Sequence, residues 1–534
     1  MSLREAVLRR VAPFCFWLPG AFRAQTARLD LAAGAASAAL TLPQSIVFAN
    51  LAGVPPQYGL YTAIFATLVA ALWGSSRHLL TGPNTAMSLM LGSALAPFAG
   101  ADSHEYLALI AVVSLAVGLT QILIALLRAS RFLTYIPLVA LDAFMAAVGF
   151  QILLSQIPYA SGITPVAGEP VWKGAVSALL AWRDFHPYSV LVFAVTVAAG
   201  IGLRQMRVRG IHRFALPGAL GAGLLCNEIL VRVLSRARTE VFVAGHAAVH
   251  LWPFALPHPL NPEYRALLPQ LLPDIFAIAL IGLVQSLLVS RAAAEESGQP
   301  VDPDQDAFAQ GLANLAVSSL SGFAAGGSVN RSMAHQDAGA LTPMAAVYSA
   351  LIVFLAAWAI PGVIAAIPVP AMAGMLCLVA AALIHPVEAR ELARQSWGQA
   401  SLYLLVLFCG IFVGLTMAVV AGFALPTLYY LVRSAQPLLR VEESGDGEGV
   451  TASLGGSVFF ASVPAIAREL RALGEARRWS GRVTIHLRGI HYLDHDGRTL
   501  LAREIARWRE GGGQVNIDAE APILEALNSA TNAA

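Results

Sequence analysis

Charge is scarce in this chain: 12% of its 534 residues are Asp, Glu, Lys or Arg, about half the share of an ordinary soluble domain. Lysine is scarcer still, with Lys173 the clear exception among arginines, a usage that points to a GC-rich bacterial genome. The four cysteines, Cys15, Cys226, Cys377 and Cys409, lie in or beside apolar stretches. Their spacing matches neither a disulfide framework nor a metal site, so they read as packing residues. Nucleotide-binding, metal-ligand and nucleophile motifs are also missing, which excludes the common enzyme classes, ATP-driven transport by this chain alone, and any resident cofactor or metal. The net charge of +2 averages over loops on two sides of a membrane and marks no nucleic-acid partner.

What is abundant is hydrophobicity. Apolar residues make up 57% of the chain and the mean hydropathy is +0.66, values expected of an integral membrane protein surrounded by a lipid bilayer. Apolar segments of about 20 residues, enough to cross a bilayer, begin near Leu29, Gln57, Thr85, Tyr106, Leu133, Ser189, Phe214, Pro273, Phe308, Asn330, Pro343, Met372, Ser401 and Thr416. The N-terminal MSLREAVLRRVAPFCFW has no small-residue cleavage site and reads as an amphipathic segment rather than a secretory signal. Arginines before the first span, then at Arg77, Arg128, Arg131, Arg204 to Arg213, Arg390 and Arg394, fall in alternate loops. Both termini are therefore expected in the cytoplasm of a multi-pass protein of the inner (plasma) membrane. The arginines from Arg232 to Arg265 run against this pattern, but longer loops obey it weakly.

Two short matches recur at similar offsets. LPQSIVFANLAG, with Gln44 and Ser45, returns as LVQSLLVSRAAA, with Gln285 and Ser286; TGPNTAM, with Asn84 and Met87, returns as GSVNRSM, with Asn330 and Met333. Such pairs are the trace of an inverted repeat. Gly82–Pro83 and Gly326–Gly327 interrupt apolar runs, so a helix is expected to start inside the membrane after each, at Asn84 or Thr85 and at Ser328 or Asn330. Seven spans per half invert the second half, which aims the two helix starts at each other near the midplane. Facing positive dipole ends make an anion site, and Arg331 adds a full charge at a depth where charge is costly and usually functional. Close helix packing at the glycines, snorkelling of Arg331 and interhelical hydrogen bonding by Asn84, Asn330 and Ser332 are the plainer alternatives.

The stretch LTLPQSIVFANLAGVPPQYGLYTAIFATLVAALWGSSRHLLTGPNTA, together with QGLANLAVSSLSGFAAGGSVNRSMAHQDAGALTP, resembles the sulfate permease (SulP) anion transporters. The resemblance implies about 14 spans as two inverted seven-span repeats, a core domain of spans one to four and eight to eleven, a gate domain of the others, an elevator-type motion and a homodimer. It implies a substrate pocket lined by Gln44, by Asn84, Thr85 and Ala86, and by Asn330, Arg331 and Ser332, with Phe48 and Tyr61 nearby. Gln285 stands where many bacterial members carry a glutamate. Glutamine does not titrate, so proton or cation coupling through this position is not expected and exchange or uniport is. Asp274, at the start of the same span, is the nearest other acid.

The expected organisation is a cytoplasmic N-terminal segment over 1–28, a transport domain over 29–436 with repeats at about 29–235 and 270–436, a linker over 437–450 and a small α/β domain over 451–534. In the last, SVFFASV, VTIHLRG and QVNIDA read as strands, PAIARELRALGEARRW and GRTLLAREIARWREGG as helices. HLRGIHYLDHDGRTLL resembles a STAS domain. Asp494 is followed by His495 and Asp496, where the related soluble regulators carry a phosphorylatable hydroxyl, so a dimerisation and stability role is expected. His491, His495 and Asp496 read as solvated loop residues, not a metal site. The function expected is secondary transport of a small anion such as sulfate, bicarbonate, chloride or a dicarboxylate. A nucleobase permease, a channel-like anion conductor and a membrane-anchored STAS regulator with vestigial transport are the alternatives.

Overall fold

The computed structural model describes residues 12–95, 97, 104–135, 138–163, 170–206, 215–234, 262–384, 391, 394, 397–434, 438–443, 449–476, 482–520 and 523–524. In chain order the first half holds α1 (Phe14–Ala21), α2 (Ala24–Leu51), α3 (Pro56–Trp73), strand β1 (Thr81–Gly82), α4 (Thr85–Leu95), α5 (His104–Leu126), α6 (Leu138–Ser161), α7 (Val171–Leu180), α8 (Pro187–Gln205) and α9 (Ala215–Leu234). The second half holds α10 (Pro262–Ser297), α11 (Pro303–Ser319), strand β2 (Gly326–Gly327), α12 (Val329–Asp337), α13 (Met344–Ala359), α14 (Pro361–Ala365), α15 (Val369–Ala381), α16 (Trp397–Phe408) and α17 (Leu415–Ser434). Each apolar segment read from the sequence coincides with one helix; α1, α7 and α14 are additional. By length and composition α2, α5, α6, α8, α9 and most of α10 can each cross a membrane alone. Helices α4 and α12 are half-length because each begins after a break.

Local chemistry sets the helix ends. Asp302 caps α11, its Oδ1 accepting from the amides of Asp304 at 3.0 Å and Gln305 at 3.4 Å, with Pro303 at the first helical position. Cys409–Val413 winds as a π turn and Gly414, at φ 142°, separates α16 from α17. The helices pack as two groups: α2, α3, α5, α10, α11 and α13 against one another, and α6, α8, α9, α15 and α16 against one another. This division follows the expected core and gate sets.

The chain divides into two compact units at Gly422–Phe423. The second carries a four-stranded sheet of order β3-β4-β5-β6, with β3 (Leu438–Glu443) antiparallel to β4 (Gly449–Val458) and the latter parallel to β5 (Arg482–Leu493), itself parallel to β6 (Gln514–Asp518). Helices α18 (Val463–Ala476) and α19 (His495–Glu510) bury Ile466, Leu470, Leu501, Ile505 and Trp508 against the inner strand residues Val483 and Ile485. Three expectations are corrected. The stretch read as a linker over 437–450 contains β3, whose backbone pairs with β4 from Leu438 to Glu443, so the α/β unit starts before residue 451. SVFFASV is not a strand throughout: β4 ends at Val458 and Phe459 and Phe460 turn toward Asp494, whose Oδ2 accepts from the Phe460 amide at 2.8 Å. Likewise the first span begins at Ala24, inside the segment read as cytoplasmic. Residues 1–11 lie outside the described residues.

Candidate anion site

The two breaks meet. Thr81 pairs with Gly327 and Gly82 with Gly326, antiparallel, and each strand runs within a few residues into a short helix. Because the strands are antiparallel, α4 and α12 leave the pair in opposite senses with their N-termini adjacent. Glycine is required for this approach: a Cβ on Gly82 would stand 3.0 Å from Nη1 of Arg331, and one on Gly327 would stand 2.7 Å from Cα of Ser286.

The polar side chains around the pair are mostly spent on holding it. Asn84 caps α4, its Oδ1 accepting from the Met87 amide at 2.9 Å, while its Nδ2 donates to the Gly327 carbonyl at 3.3 Å. Oγ of Ser332 accepts from the Leu80 amide at 2.8 Å, and the Ser328 amide donates to the Leu80 carbonyl at 3.0 Å. Ser286 accepts from the Gly327 amide at 2.7 Å. Behind them, buried Asn314 on α11 clasps Ala325 through both amide and carbonyl at 2.7 and 3.0 Å, and Gln310 donates to Oγ1 of Thr81 at 2.6 Å. What remains for a ligand is the backbone: the amides of the first helical turn have no carbonyl one turn earlier to bond, which concerns Thr85 and Ala86 on α4 and Val329, Asn330 and Arg331 on α12.

Arg331 is 1% exposed. Its Nη2 donates to the Pro83 carbonyl at 2.8 Å, which ties the start of one half-helix to the other. Its Nε is buried without a hydrogen-bond partner, and among the described residues no carboxylate pairs with it. A buried guanidinium held by a neutral carbonyl keeps its charge available to an anion.

The structure therefore brings together Asn84, Thr85, Ala86, Arg331 and Ser332, with the backbone of Asn330; the side chain of Asn330 lies outside the described residues. Gln285 is buried and donates to Sδ of Met145 on α6 at 3.1 Å. Gln44 and Phe48 are buried on α2 and Tyr61 on α3, stacked against Phe65; among the described residues no hydrogen bond joins Gln44 to the half-helices. Asp274 is engaged by the hydroxyl of Thr416 on α17. The sequence matches of Asn84 with Asn330 and Met87 with Met333 are not the structural ones. The helices start at Thr85 and Val329, 244 residues apart, which equates Asn84 with Ser328 and Met87 with Arg331. Missed in the sequence were Gln310 and Asn314. Together with Asp306 and Ser318 they repeat every four residues along α11, a stripe of polar residues on one helical face.

The model of the sulfate permease family matches residues 28–407. A probable sulfate transporter of Mycobacterium tuberculosis is 29% identical over 427 residues, which is 79% of this chain and 74% of that protein. Among solved structures, murine Solute Carrier 26 family member A9, an anion transporter in the inward-facing state, superposes with a TM-score of 0.86 at 16% identity, over 99% of this chain and 92% of that one. The transmembrane domain of a cyanobacterial bicarbonate transporter, BicA, superposes with a TM-score of 0.64 at 20% identity, over 75% of this chain and 98% of its own. At these identities the structural likeness speaks for the fold.

Proposed function

The chain belongs to the sulfate permease family, a family of membrane transporters and not of enzymes, and from that premise we propose that it is a secondary transporter of a small anion. The anion is held between the N-termini of α4 and α12 by backbone amides and Arg331. The observation that carries this is the buried, carboxylate-free guanidinium whose Nε has no partner, set where two helix starts face each other. Sulfate, bicarbonate, chloride and dicarboxylates all fit this chemistry, and the names of the matched proteins span sulfate and bicarbonate. The separate packing of the core and gate helices supports an elevator-type alternation, in which the hairpin travels as one piece with the core. The remaining parts of the reading are a homodimer, an inner-membrane location with cytoplasmic termini, and a STAS-type identity for the C-terminal α/β unit.

The test is uptake of sulfate, bicarbonate, chloride, nitrate and fumarate by the purified protein in liposomes. Losing one partner of a buried charge contact costs about 2–5 kcal/mol, so Arg331→Ala should lower uptake of the preferred anion by about a hundredfold while the variant still elutes as a folded species. Near-normal uptake by folded Arg331→Ala protein would overturn the assignment. Uptake that fails to saturate with anion concentration would favour a channel-like conductor.

A further inference from the structure

One helical turn beyond Arg331, on the same face of α12, stands His335. It is fully buried, and its Nδ1 lies 2.8 Å from Oγ of Ser37 on α2. With the Ser37 hydroxyl assigned as donor to the Ala33 carbonyl, 2.8 Å away, the imidazole is the donor at Nδ1. That tautomer leaves Nε2 a bare lone pair, and Nε2 is buried without a partner. A buried acceptor left unmet is costly, and its position beside the anion site gives it a use.

Each element around the ring carries hydrogen-bonding or titratable groups. From α2 come Ser37 and Asp30, the latter occupied by the amides of Leu341 at 2.8 Å and Thr342 at 3.1 Å. The segment between α3 and β1 brings His78 within electrostatic reach. From α10 come Ser286 and Ser290, followed by half-buried Arg291 and exposed Glu295; α12 itself adds Arg331 and exposed Asp337. Among the described residues no carboxylate bonds the ring. The empty core already holds the charge of Arg331, and a monoanion balances that charge alone. A dianion leaves one negative charge over in a medium of low dielectric, and His335 is the buried basic lone pair nearest to it along the helix.

We propose that Nε2 of His335 is a proton-binding site of the transport core, filled when a dianion is bound and empty with a monoanion. The proton adds to the Nε2 lone pair and the Nδ1–H bond to Ser37 is unchanged, so no bond is broken. This proposal rests on the anion site at α4 and α12, and it supplies the titrating group that Gln285 cannot. By reciprocity of linkage, the dianion then binds more tightly as pH falls, while monoanion affinity stays flat.

Calorimetric titration of the purified full chain with sulfate and with nitrate, at pH 6 in buffers of unlike ionisation enthalpy, counts the protons. About one proton taken up per sulfate and none per nitrate is expected. His335→Asn, whose Nδ2 stands where Nδ1 donates to Ser37, should abolish the proton uptake, weaken sulfate about tenfold at pH 6 and leave nitrate unchanged. Sulfate binding without proton uptake in the wild-type chain, or equal uptake in His335→Asn, would overturn the proposal even where the variant folds poorly, since the first count needs only the wild type. Failure of the wild-type chain to bind either anion would instead overturn the anion site, and with it this inference.

Discussion

Asp306 accepts from the amide and hydroxyl of Ser75 at 2.7 and 2.8 Å, from the amide of Ser76 at 3.3 Å and from the hydroxyl of Ser290 at 2.5 Å. Through one carboxylate it ties the chain leading into β1 to α10 and α11. Asp306→Ala would leave the Ser75 and Ser76 amides without acceptors, each costing about 1–3 kcal/mol. Asp306→Asn keeps an oxygen for those amides, and the Ser290 hydroxyl can turn to accept. The thermal midpoint in detergent should therefore fall in the order wild type, Asp306→Asn, Asp306→Ala; equal midpoints for the two variants would contradict the role assigned to the carboxylate. At this scale the sequence is legible where a residue type has few uses. Arg331 could be read because a charge within an apolar run has few tolerable explanations. Asn84 and Ser332 could not, because capping a helix and binding a ligand use the same atoms, and only the partners at 2.9 and 2.8 Å decide for capping and bracing.

Among the elements, the β1–β2 pair is the joint on which the half-helices depend. Gly327 lies against α10 so closely that an added methyl meets backbone, Cα of Ser286 at 2.7 Å, and the side chain of Leu79 at 2.9 Å. Gly327→Ala must shift the hairpin at a cost of about 1–3 kcal/mol, which moves the α12 start away from that of α4. Sulfate uptake should be lost while expression persists. Gly221→Ala on α9, where nothing lies within 4 Å of the new methyl, is the control expected to behave as wild type; similar uptake by both variants would show that the close approach does not matter. The existence of both half-helices was readable from Gly-Pro and Gly-Gly breaks in apolar runs. Their alignment was not, because a two-residue difference in N-cap position is invisible to letter matching. Nor was the α11 polar stripe recognised, since buried Gln and Asn in a membrane helix announce a hydrogen bond without naming its partner.

For the whole molecule, the alternation of apolar segments foretold the helix order of the transport unit, because in a bilayer every backbone group must be satisfied within its own segment. The junction to the α/β unit was misjudged for the opposite reason: polar VEESGDGEGV looks like linker, yet its first residues complete an edge strand whose bonds go to β4. At the far edge of that sheet, Arg488 and His486 bond Asp518 at 2.7 Å each and hold its carboxyl below the usual range, so this clip persists at neutral pH and loosens only as pH falls through the lowered value. The junction has a direct consequence for truncation. A chain ending at residue 437 removes the sheet entirely, whereas one ending at 450 retains β3 without β4 and exposes a row of unpaired amides and carbonyls, a template for association between copies. The shorter chain is expected to run as a single species on size exclusion and to keep the anion preference of the full protein, since the anion-site residues all lie before Gly422. The longer one should aggregate. Equal behaviour of the two truncations would mean that β3 is not part of the sheet in solution, and a changed anion preference in the shorter chain would assign the α/β unit a part in selectivity.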